Sequence, residues 1–196
     1  MTGTDTRPGL VPVAPVAEQL ARVTSRLLDR WQSDTGGLPS AEHDPDWPSA
    51  CIVGAPDNGR CFWRPVPMQP AVDLDRLGDA LEVTLHPAWR TLFTVQWSAA
   101  LPLRYNDGEF ELLQLWNAED ADNLIANQIG HALEKRRVRQ PLTLFFGLVD
   151  DHRLLSVDND GGAVQLETLG SPGPEEVTPD LATFLSACEP APPHPT

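Results

Sequence analysis

The strongest constraint on the fold is a hairpin signal near the middle of the chain. Residues 101–105 (LPLRY) and 109–116 (EFELLQLW) are β-prone runs separated by the turn sequence Asn106-Asp107-Gly108, which is typical of a tight β-hairpin. In the second run one face holds Phe110, Leu112, Gln114 and Trp116 and the other holds Glu111, Leu113 and Leu115, so both faces of the strand are suited to burial. The chain is therefore predicted to build a sheet in which residues 109–116 form a central strand.

Helical and strand-like patterns alternate on either side of this hairpin. Apolar residues recur at helical spacing in four segments, residues 16–32, 73–85, 118–135 and 177–188. Further strands are predicted from short β-branched and aromatic runs at residues 51–53, 61–63, 91–97, 143–149, 153–157 and 163–167. Because most of these strands are joined by short turns, they are expected to pair antiparallel. The predicted fold class is α+β, a single domain with a mainly antiparallel sheet flanked by helices.

Both ends of the chain are rich in proline and lack periodicity. Residues 1–15 contain Pro8, Pro12 and Pro15, and residues 189–196 (EPAPPHPT) are also Pro-rich. Segments of this kind do not bury enough apolar surface to fold by themselves. We therefore expect two disordered tails around one domain at residues 16–188.

The first predicted helix has an apolar stripe and a basic stripe. The two sets are Leu20, Val23, Leu27 and Trp31, and Arg22, Arg26 and Arg30. Such a helix can lie in a membrane interface, or it can bury its apolar stripe in the protein core. Packing onto the core is the favoured interpretation.

Acidic residues outnumber basic residues two to one. The chain has 28 Asp and Glu against 14 Lys and Arg, a formal net charge of -14, and residues 141–196 contain nine acids against Arg153 alone. A surface of this charge repels nucleic acid and anionic membranes, and it attracts cationic partners. Acidity that serves only solubility is the alternative interpretation.

The sequence contains no strong motif for catalysis, cofactor binding or metal binding. The three cysteines (Cys51, Cys61 and Cys188) and the five histidines lack metal-ligand spacing. The glycines do not form a nucleotide-binding loop, and there is no GxSxG element. Paired carboxylates of the glycosidase type stay open, because the chain has 28 acids. The chain is predicted not to be an enzyme and to use no cofactor and no metal.

The sequence shows no pattern for insertion into a membrane. The N-terminus is polar and Pro-rich instead of basic and then apolar, and no apolar run approaches the roughly 18–20 residues that span a bilayer. We therefore expect a cytoplasmic protein with reduced, buried cysteines. Any attachment to a membrane is expected to come through a partner.

The segment WNAED at residues 116–120 is the most suggestive of a binding site. Asn117 is predicted to cap the helix at residues 118–135, and helix capping alone accounts for acids in its first turn. The alternative is a site for Arg and Lys side chains, in which carboxylates bind the cation and an aromatic ring adds a cation–π contact. That site would consist of Trp116, Glu119, Asp120, Asp158 and Asp160.

His131 lies inside the same predicted helix. In one interpretation it sits at the border of the core and bonds to a backbone carbonyl. In the other it lines a binding groove.

A series of sequence blocks, present in one order, resembles a known family. The blocks are LPS at 38–40, PSACI at 48–52, CFWRPVP at 61–67, LHPAW at 85–89, LLQLWNAEDADNLIANQIGH at 112–131, QPLTLFFGLVDDHRLLSVDNDGGAVQLETLG at 140–170 and LATFL at 181–185. This set covers roughly residues 16–187 and resembles the Syd family of SecY-interacting proteins of bacteria.

The resemblance implies a compact domain with a concave acidic face that binds the basic cytoplasmic loops of the SecY translocation channel. It implies peripheral attachment to the cytoplasmic side of the inner membrane, a role in monitoring or regulating SecY assembly, and no catalytic residues. The basic loops are predicted to dock against a partner-binding surface made of Trp116, Glu119, Asp120, His131, Asp158 and Asp160. Syd proteins also resemble a wider superfamily of bacterial immunity proteins, so neutralisation of a toxin by binding is the alternative function.

Overall fold

The computed structural model of the chain describes residues 13–171 and 173–193. This part forms five helices, α1 (Val13–Thr35), α2 (Asp75–Leu81), α3 (Pro87–Leu92), α4 (Ala118–Arg137) and α5 (Leu181–Ala187). It also forms twelve strands, β1 (Ser40–Glu42), β2 (Ile52–Asp57), β3 (Arg60–Trp63), β4 (Val66–Pro67), β5 (Gln96–Trp97), β6 (Leu101–Tyr105), β7 (Gly108–Leu112), β8 (Thr143–Leu148), β9 (Arg153–Asp158), β10 (Val164–Thr168), β11 (Glu175–Thr178) and β12 (Glu189–Pro190). The predicted α+β class is confirmed.

The main sheet has seven strands in the order β11-β10-β9-β8-β7-β6-β12, and its neighbouring strands are antiparallel. Its β6–β7 hairpin pairs Leu101 with Leu112 and Tyr105 with Gly108. Since β7 lies between β6 and β8, the prediction of a central strand is confirmed. A three-stranded sheet (β1-β3-β2) and a two-stranded sheet (β4-β5) lie outside the main sheet.

The core lies between one face of the main sheet and the helices α1, α3 and α5. Helix α1 packs against α3 and α5. Three residues of its apolar stripe, Leu20, Val23 and Leu27, have 0% exposure, and the fourth, Trp31, is partly buried. The preference for core packing over a membrane interface is therefore confirmed for this helix. Phe146 of β8 meets Phe184 of α5 edge-on, with ring centroids 5.7 Å apart.

Helix α4 covers the opposite face of the sheet. Side chains alternate between the two faces along a strand, so Thr143 and Phe145 point away from the face that holds Phe146. Both are contacted by α4, because the amide Nε2 of Gln128 donates to the carbonyl of Phe145 at 2.7 Å and His131 lies 2.9 Å from the hydroxyl of Thr143. The helices predicted at residues 16–32, 73–85 and 118–135 are confirmed as α1, α2 and α4.

The strand predicted at residues 91–97 is mostly wrong. Residues Pro87–Leu92 form α3, and only Gln96–Trp97 are extended. Pro87 opens the helix, where its missing N–H removes no hydrogen bond, and Nδ1 of His86 accepts the N–H of Ala88 at 3.3 Å. Thr91, Leu92 and Phe93 of the predicted strand are buried at the end of this short helix, so tertiary burial outweighs local β-propensity there.

The C-terminal region differs from its prediction in two places. The helix predicted at residues 177–188 begins only at Leu181, because Asp180 caps it and residues 175–178 form β11 at the edge of the sheet. The disordered tail predicted from residue 189 begins instead with β12, which pairs with β6. At the other end α1 begins at Val13, inside the predicted N-terminal tail. Residues 1–12 and 194–196 lie outside the described residues.

Candidate partner-binding groove

The start of α4 is fixed by a reciprocal pair of hydrogen bonds. The side-chain oxygen of Asn117 accepts the N–H of Asp120 at 3.0 Å, and Oδ2 of Asp120 accepts the N–H of Trp116 at 2.8 Å. The arrangement is close to a capping box, except that the carboxylate reaches the residue before the cap. The predicted cap is confirmed, and Trp116 is held at a fixed place beside Asp120.

A groove opens next to the start of α4 because the pairing between β7 and β8 ends there. β7 pairs with β8 only at Glu111 and Leu112, and after the bond from the N–H of Leu113 to Phe146 the chain turns away. The carbonyl of Phe145 is satisfied by side chains instead, by the indole of Trp89 at 2.9 Å and by the amide of Gln128 at 2.7 Å. The strand expected to run to residue 116 therefore ends at Leu112, and its departure leaves Phe145 in the wall of a groove.

This groove, named here the tryptophan groove, has a volume of about 440 Å³. Its aromatic lining consists of Trp47, Trp116, Phe93 and Phe145, and its polar lining consists of Glu42, Ser98, Gln114, Asp120, Asn123 and Asn127. Carboxylates attract Lys and Arg, tryptophan rings accept cation–π contacts, and side-chain amides bond to peptide groups. The groove is thus chemically suited to a basic polypeptide segment.

The two tryptophans are held together by the loop at residues 43–50. The indole N–H of Trp116 donates to the carbonyl of Trp47 at 3.2 Å, and the hydroxyl of Ser49 donates to the carbonyl of Trp116 at 2.6 Å. The side-chain amide of Asn117 donates to the carbonyl of Pro48 at 3.1 Å. The loop also exposes Asp44 and Asp46 to solvent, so the rim of the tryptophan groove is acidic on the side of Trp47 as well.

Asp120 is the half-buried charge of the tryptophan groove. Burial raises the pKa of its carboxyl above the ordinary value, and the N–H of Trp116 only partly offsets this effect. A carboxylate that has lost part of its hydration gains more from a cationic partner than an exposed one, because the surrounding dielectric is lower. Neighbouring Glu119 is exposed to solvent and adds charge at the rim.

The six predicted contact residues fall into two groups. Trp116, Glu119 and Asp120 lie together at the start of α4. His131 is eleven residues further along the same helix than Asp120, roughly 16 Å at the usual helical rise. Asp158 pairs with Thr143, the residue that His131 contacts, and exposed Asp160 follows two residues later. The second group thus lies near the other half of α4.

His131 belongs to a buried polar network under α4. Glu167 accepts a hydrogen bond from Lys135 at 2.5 Å, another from Thr143 at 2.6 Å and a third from Ser156. Since Thr143 gives its one hydroxyl proton to Glu167, it accepts from Nε2 of His131 at 2.9 Å. Both interpretations from the sequence missed this partner, a side-chain hydroxyl.

The pKa values in this network move in the directions that its contacts require. Desolvation lowers the pKa of His131, although nearby Glu167 works in the opposite direction. Burial alone would raise the pKa of Glu167, but the hydrogen bonds from Lys135, Ser156 and Thr143 outweigh it and hold the pKa below its ordinary value. The network therefore contains an ionised carboxylate and a neutral histidine at pH 7.

The DNDGG turn that contains Asp158 and Asp160 is joined to α3. Asn159 accepts the N–H of His86 at 3.0 Å and donates to the carbonyl of Thr84 at 3.0 Å. Oδ2 of Asp158 accepts the N–H of Gly161 at 2.7 Å. Asp158 therefore has a role in the turn itself, and Asp160 is the more accessible of the two carboxylates.

The sequence interpretation missed several residues of the tryptophan groove, Glu42, Trp47, Gln114, Asn123 and Asn127. Trp47 had a usable signal, because it is a large aromatic residue in an otherwise polar, Pro-rich loop with Asp44 and Asp46. Because binding residues lie disproportionately on loops, an aromatic side chain among acids in a loop is a candidate for a recognition surface. The side chains of Asn123 and Asn127 in α4 could not be assigned to the groove from the sequence, because their position depends on how the helix crosses the sheet.

Residues 13–171 and 173–193 lack the features of two other kinds of site. No cluster of three His, Cys, Asp or Glu side chains in this part could hold a metal ion. No helix in the same ranges combines the length and apolarity that crossing a bilayer requires. Cys51, Cys61 and Cys188 are free and buried, and desolvation raises the pKa of Cys188 to about 12.

The fold and the groove define a class of small α+β domains in which one helix crosses an antiparallel sheet beside an acidic, aromatic-lined groove. The chain belongs to the Syd family, since the family model described as Syd protein (SUKH-2) matches residues 17–190. The resemblance noted in the sequence is thereby confirmed.

Individual members of the family show the same relationship. Protein Syd of Pseudoalteromonas atlantica is 43% identical over 153 residues, which cover 76% of this chain and 82% of that protein. Protein Syd of Psychromonas ingrahamii is 36% identical over 173 residues, covering 88% and 94%. Protein Syd of Aeromonas salmonicida is 35% identical over 181 residues, covering 90% and 100%.

Proposed function

We propose that this protein is a non-catalytic binding protein that recognises the basic cytoplasmic loops of the SecY translocation channel through the tryptophan groove. The partner follows from what the Syd family implies, and the place of binding follows from charge and shape. By this contact the protein would sit peripherally on the cytoplasmic side of the inner membrane and monitor or regulate SecY assembly.

The observation that carries the proposal is the half-buried carboxylate of Asp120, which lines the same groove as Trp47 and Trp116. Asp120 bonds to the backbone of Trp116 at 2.8 Å, and Trp116 in turn bonds to the loop of Trp47 at 3.2 Å. An Arg or Lys side chain entering the groove would meet a carboxylate and aromatic faces at once. The net charge of -14 adds long-range attraction for a basic loop.

A contribution of the second group of predicted contact residues to partner binding stays a separate prediction. His131, Asp158 and Asp160 lie near the other half of α4, so a loop that touched both groups would have to extend along the helix. Asp160 is exposed and can contribute charge, whereas His131 is mostly covered and bonded to Thr143. If these residues contribute to binding, the bound segment of the partner must be long enough to reach both groups along α4.

Capture of SecY-containing membranes by three matched double variants tests the proposal. Each variant removes two negative charges and keeps the side-chain shape. Glu119→Gln/Asp120→Asn alters the groove, Asp158→Asn/Asp160→Asn alters the second group, and Glu18→Gln/Asp29→Asn on the exposed side of α1 is the control. We expect the groove variant to lose most of the capture and the control to keep it, with circular dichroism verifying the fold of each.

The possible results separate the alternatives. Equal loss in all three variants would mean that only total charge matters, and full capture by the groove variant would move the site elsewhere. Absence of capture by the unaltered, folded protein would favour the alternative in which it neutralises a toxin by binding. Affinity should also fall steeply as salt rises above physiological concentration, because the Debye length shortens from about 8 Å.

A further inference from the structure

A second cavity lies on the face of the main sheet that is opposite to α4. It has a volume of about 230 Å³ and lies between the β6–β7 hairpin, the strands β9 to β11 and helix α5. Its wall is almost entirely apolar and includes Tyr105, Phe110, Leu155, Leu166, Val177 and Phe184. We name it the Phe184 pocket.

The floor of the Phe184 pocket is a packed aromatic cluster. The ring of Tyr105 stacks on Phe184 with centroids 4.8 Å apart, and the ring of Phe110 lies 5.4 Å from Phe184. Phe184 is completely buried, and Phe110 is 6% exposed. A floor of interlocked rings does not collapse into the space above it, so the pocket persists without an occupant.

The size of the Phe184 pocket limits what it can hold. Sites for cofactors and drug-sized molecules usually have volumes of about 300–1,000 Å³. A cavity of about 230 Å³ is suited instead to a single large side chain, of the kind that anchors a protein interface.

Charges around the mouth of the Phe184 pocket are mainly negative. Glu109 and Arg153 belong to its lining, and Glu175 is paired with Leu166 across the sheet, which puts both on the same face. Arg153 is bonded to Asp150 at 2.7 Å, and exposed Asp151 lies in the same turn. Arg153 is thus engaged by an acid, and Glu109, Asp151 and Glu175 add negative charge around the mouth.

We propose that the Phe184 pocket is a second docking surface, which takes one phenylalanine or leucine side chain of a partner segment that carries Lys or Arg on both sides of it. The apolar floor selects the central side chain, and the acidic rim selects its neighbours. A second copy of this chain is disfavoured as the occupant, because two molecules of net charge -14 repel each other.

This surface is independent of the tryptophan groove. The groove is bounded by α4 and Phe145, whereas the pocket lies beside α5 on the other face of the same sheet. This second surface therefore goes beyond the proposed function, and an experiment can exclude binding at one surface without excluding binding at the other.

The test uses two fluorescent peptides, KRFRK and KRARK, whose binding is followed by anisotropy. KRFRK should bind at least about tenfold more tightly than KRARK, since a well-buried anchor side chain is worth that much. Val177→Phe, which fills the pocket, should abolish this difference. Glu175→Lys should weaken KRFRK several-fold.

Two controls locate the binding. Glu176→Lys makes the same change of charge at the next residue, which pairs with Gln165 and faces the other side of the sheet, and it should leave the preference for KRFRK intact. Asp120→Asn in the tryptophan groove should also leave that preference intact. Equal binding of the two peptides, equal effects of Glu175→Lys and Glu176→Lys, or loss of the preference in Asp120→Asn would overturn the proposal.

Discussion

The backbone of Trp116 and the carboxylate of Asp120 are joined by a hydrogen bond of 2.8 Å, which ties an aromatic wall of the tryptophan groove to its acidic group. The backbone N–H of Asp120 also donates to the side-chain oxygen of Asn117 at 3.0 Å, which caps α4. Neither Trp116 nor Asp120 can therefore move without disturbing the start of this helix. The groove is therefore ready to bind without rearrangement, which lowers the entropic cost of association.

Asp120→Asn should weaken partner binding without lowering the stability of the fold. The asparagine oxygen can still accept the N–H of Trp116, but the charge is gone. Burial raises the pKa of Asp120, so the folded state holds a proton more readily than the unfolded state, and stability falls as pH rises from the unfolded pKa through the folded pKa. Removing the charge is expected to leave the free energy of unfolding at pH 7 unchanged or higher, as measured by urea denaturation.

Asp122→Asn is the control for that variant. Asp122 lies on the exposed side of the same helix and pairs with Arg76 at 2.5 Å. It should change neither stability nor partner capture noticeably, because exposed ion pairs contribute little. A clear loss of stability in Asp120→Asn alone would contradict the role assigned to burial.

The buried pair Lys135–Glu167 should respond strongly to single substitutions and weakly to a double one. Glu167→Gln leaves the lysine charge buried without a counter-ion, and we expect a loss of about 3–5 kcal/mol in the free energy of unfolding. Lys135→Met should cost a similar amount. The double variant Lys135→Met/Glu167→Gln should cost less than either, since no unpaired charge is left behind. Denaturant titration of the four proteins forms the double-mutant cycle.

The pair Glu134–Arg137 serves as the comparison. It lies on the solvent side of the same helix, with the two side chains 58% and 73% exposed. Glu134→Gln should leave the unfolding midpoint almost unchanged. If it were as damaging as Glu167→Gln, helix electrostatics and not burial would explain both results.

Stability should fall as the pH drops below neutrality, and His131 should account for part of the fall. Desolvation lowers its folded pKa, whereas an unfolded histidine titrates near about pH 6.5. Below that pH the unfolded state binds a proton that the folded state refuses, so the free energy of unfolding decreases. His131→Gln keeps a donor for Thr143 and should flatten the profile between pH 7 and pH 5. An unchanged slope would mean that His131 titrates alike in both states.

Gly162→Ala should be among the costliest substitutions of a single methyl group. Gly162 has φ +81°, and an added Cβ would lie 2.5 Å from Nε2 of His86. Gly170 has φ +80° but open space around it, so Gly170→Ala measures the backbone penalty alone, about 1–2 kcal/mol. The additional loss in Gly162→Ala, measured by thermal unfolding, reports the contact with His86. Equal losses of stability in Gly162→Ala and Gly170→Ala would show that the His86 ring can move aside without an energetic cost.

The sequence predicted those elements whose signal is local. The turn at Asn106-Asp107-Gly108 and the cap at Asn117 both depend on residues within a few positions, and both are present in the structure. A clear exception is the segment at residues 91–97, where the β-prone residues Thr91 to Trp97 suggested a strand. The helix there is specified by Pro87 and His86 before it and by burial of Trp89 beneath it.

The site was less predictable because it depends on distant segments. Trp116 and Asp120 could be named from the sequence, since they flank one helix cap. Trp47 is brought beside Trp116 by hydrogen bonds across 69 residues, and no local pattern reports such a contact. The same holds for Glu167, which is a strand residue by pattern and becomes the centre of a buried network only when α4 is laid across the sheet.

Strand β12 has a practical consequence for handling this protein. Glu189 and Pro190 cover the edge of β6, and Ala191, which is 2% exposed, donates its N–H to Pro102 at 3.0 Å. Without these few residues β6 would present a bare row of backbone donors and acceptors, to which another chain can add. A truncation before residue 192 therefore invites aggregation, and a purification tag at this end needs a spacer that starts after the last described residue. The short segment Glu189 to Ala191 therefore belongs to the folded domain, although its proline-rich sequence does not suggest it.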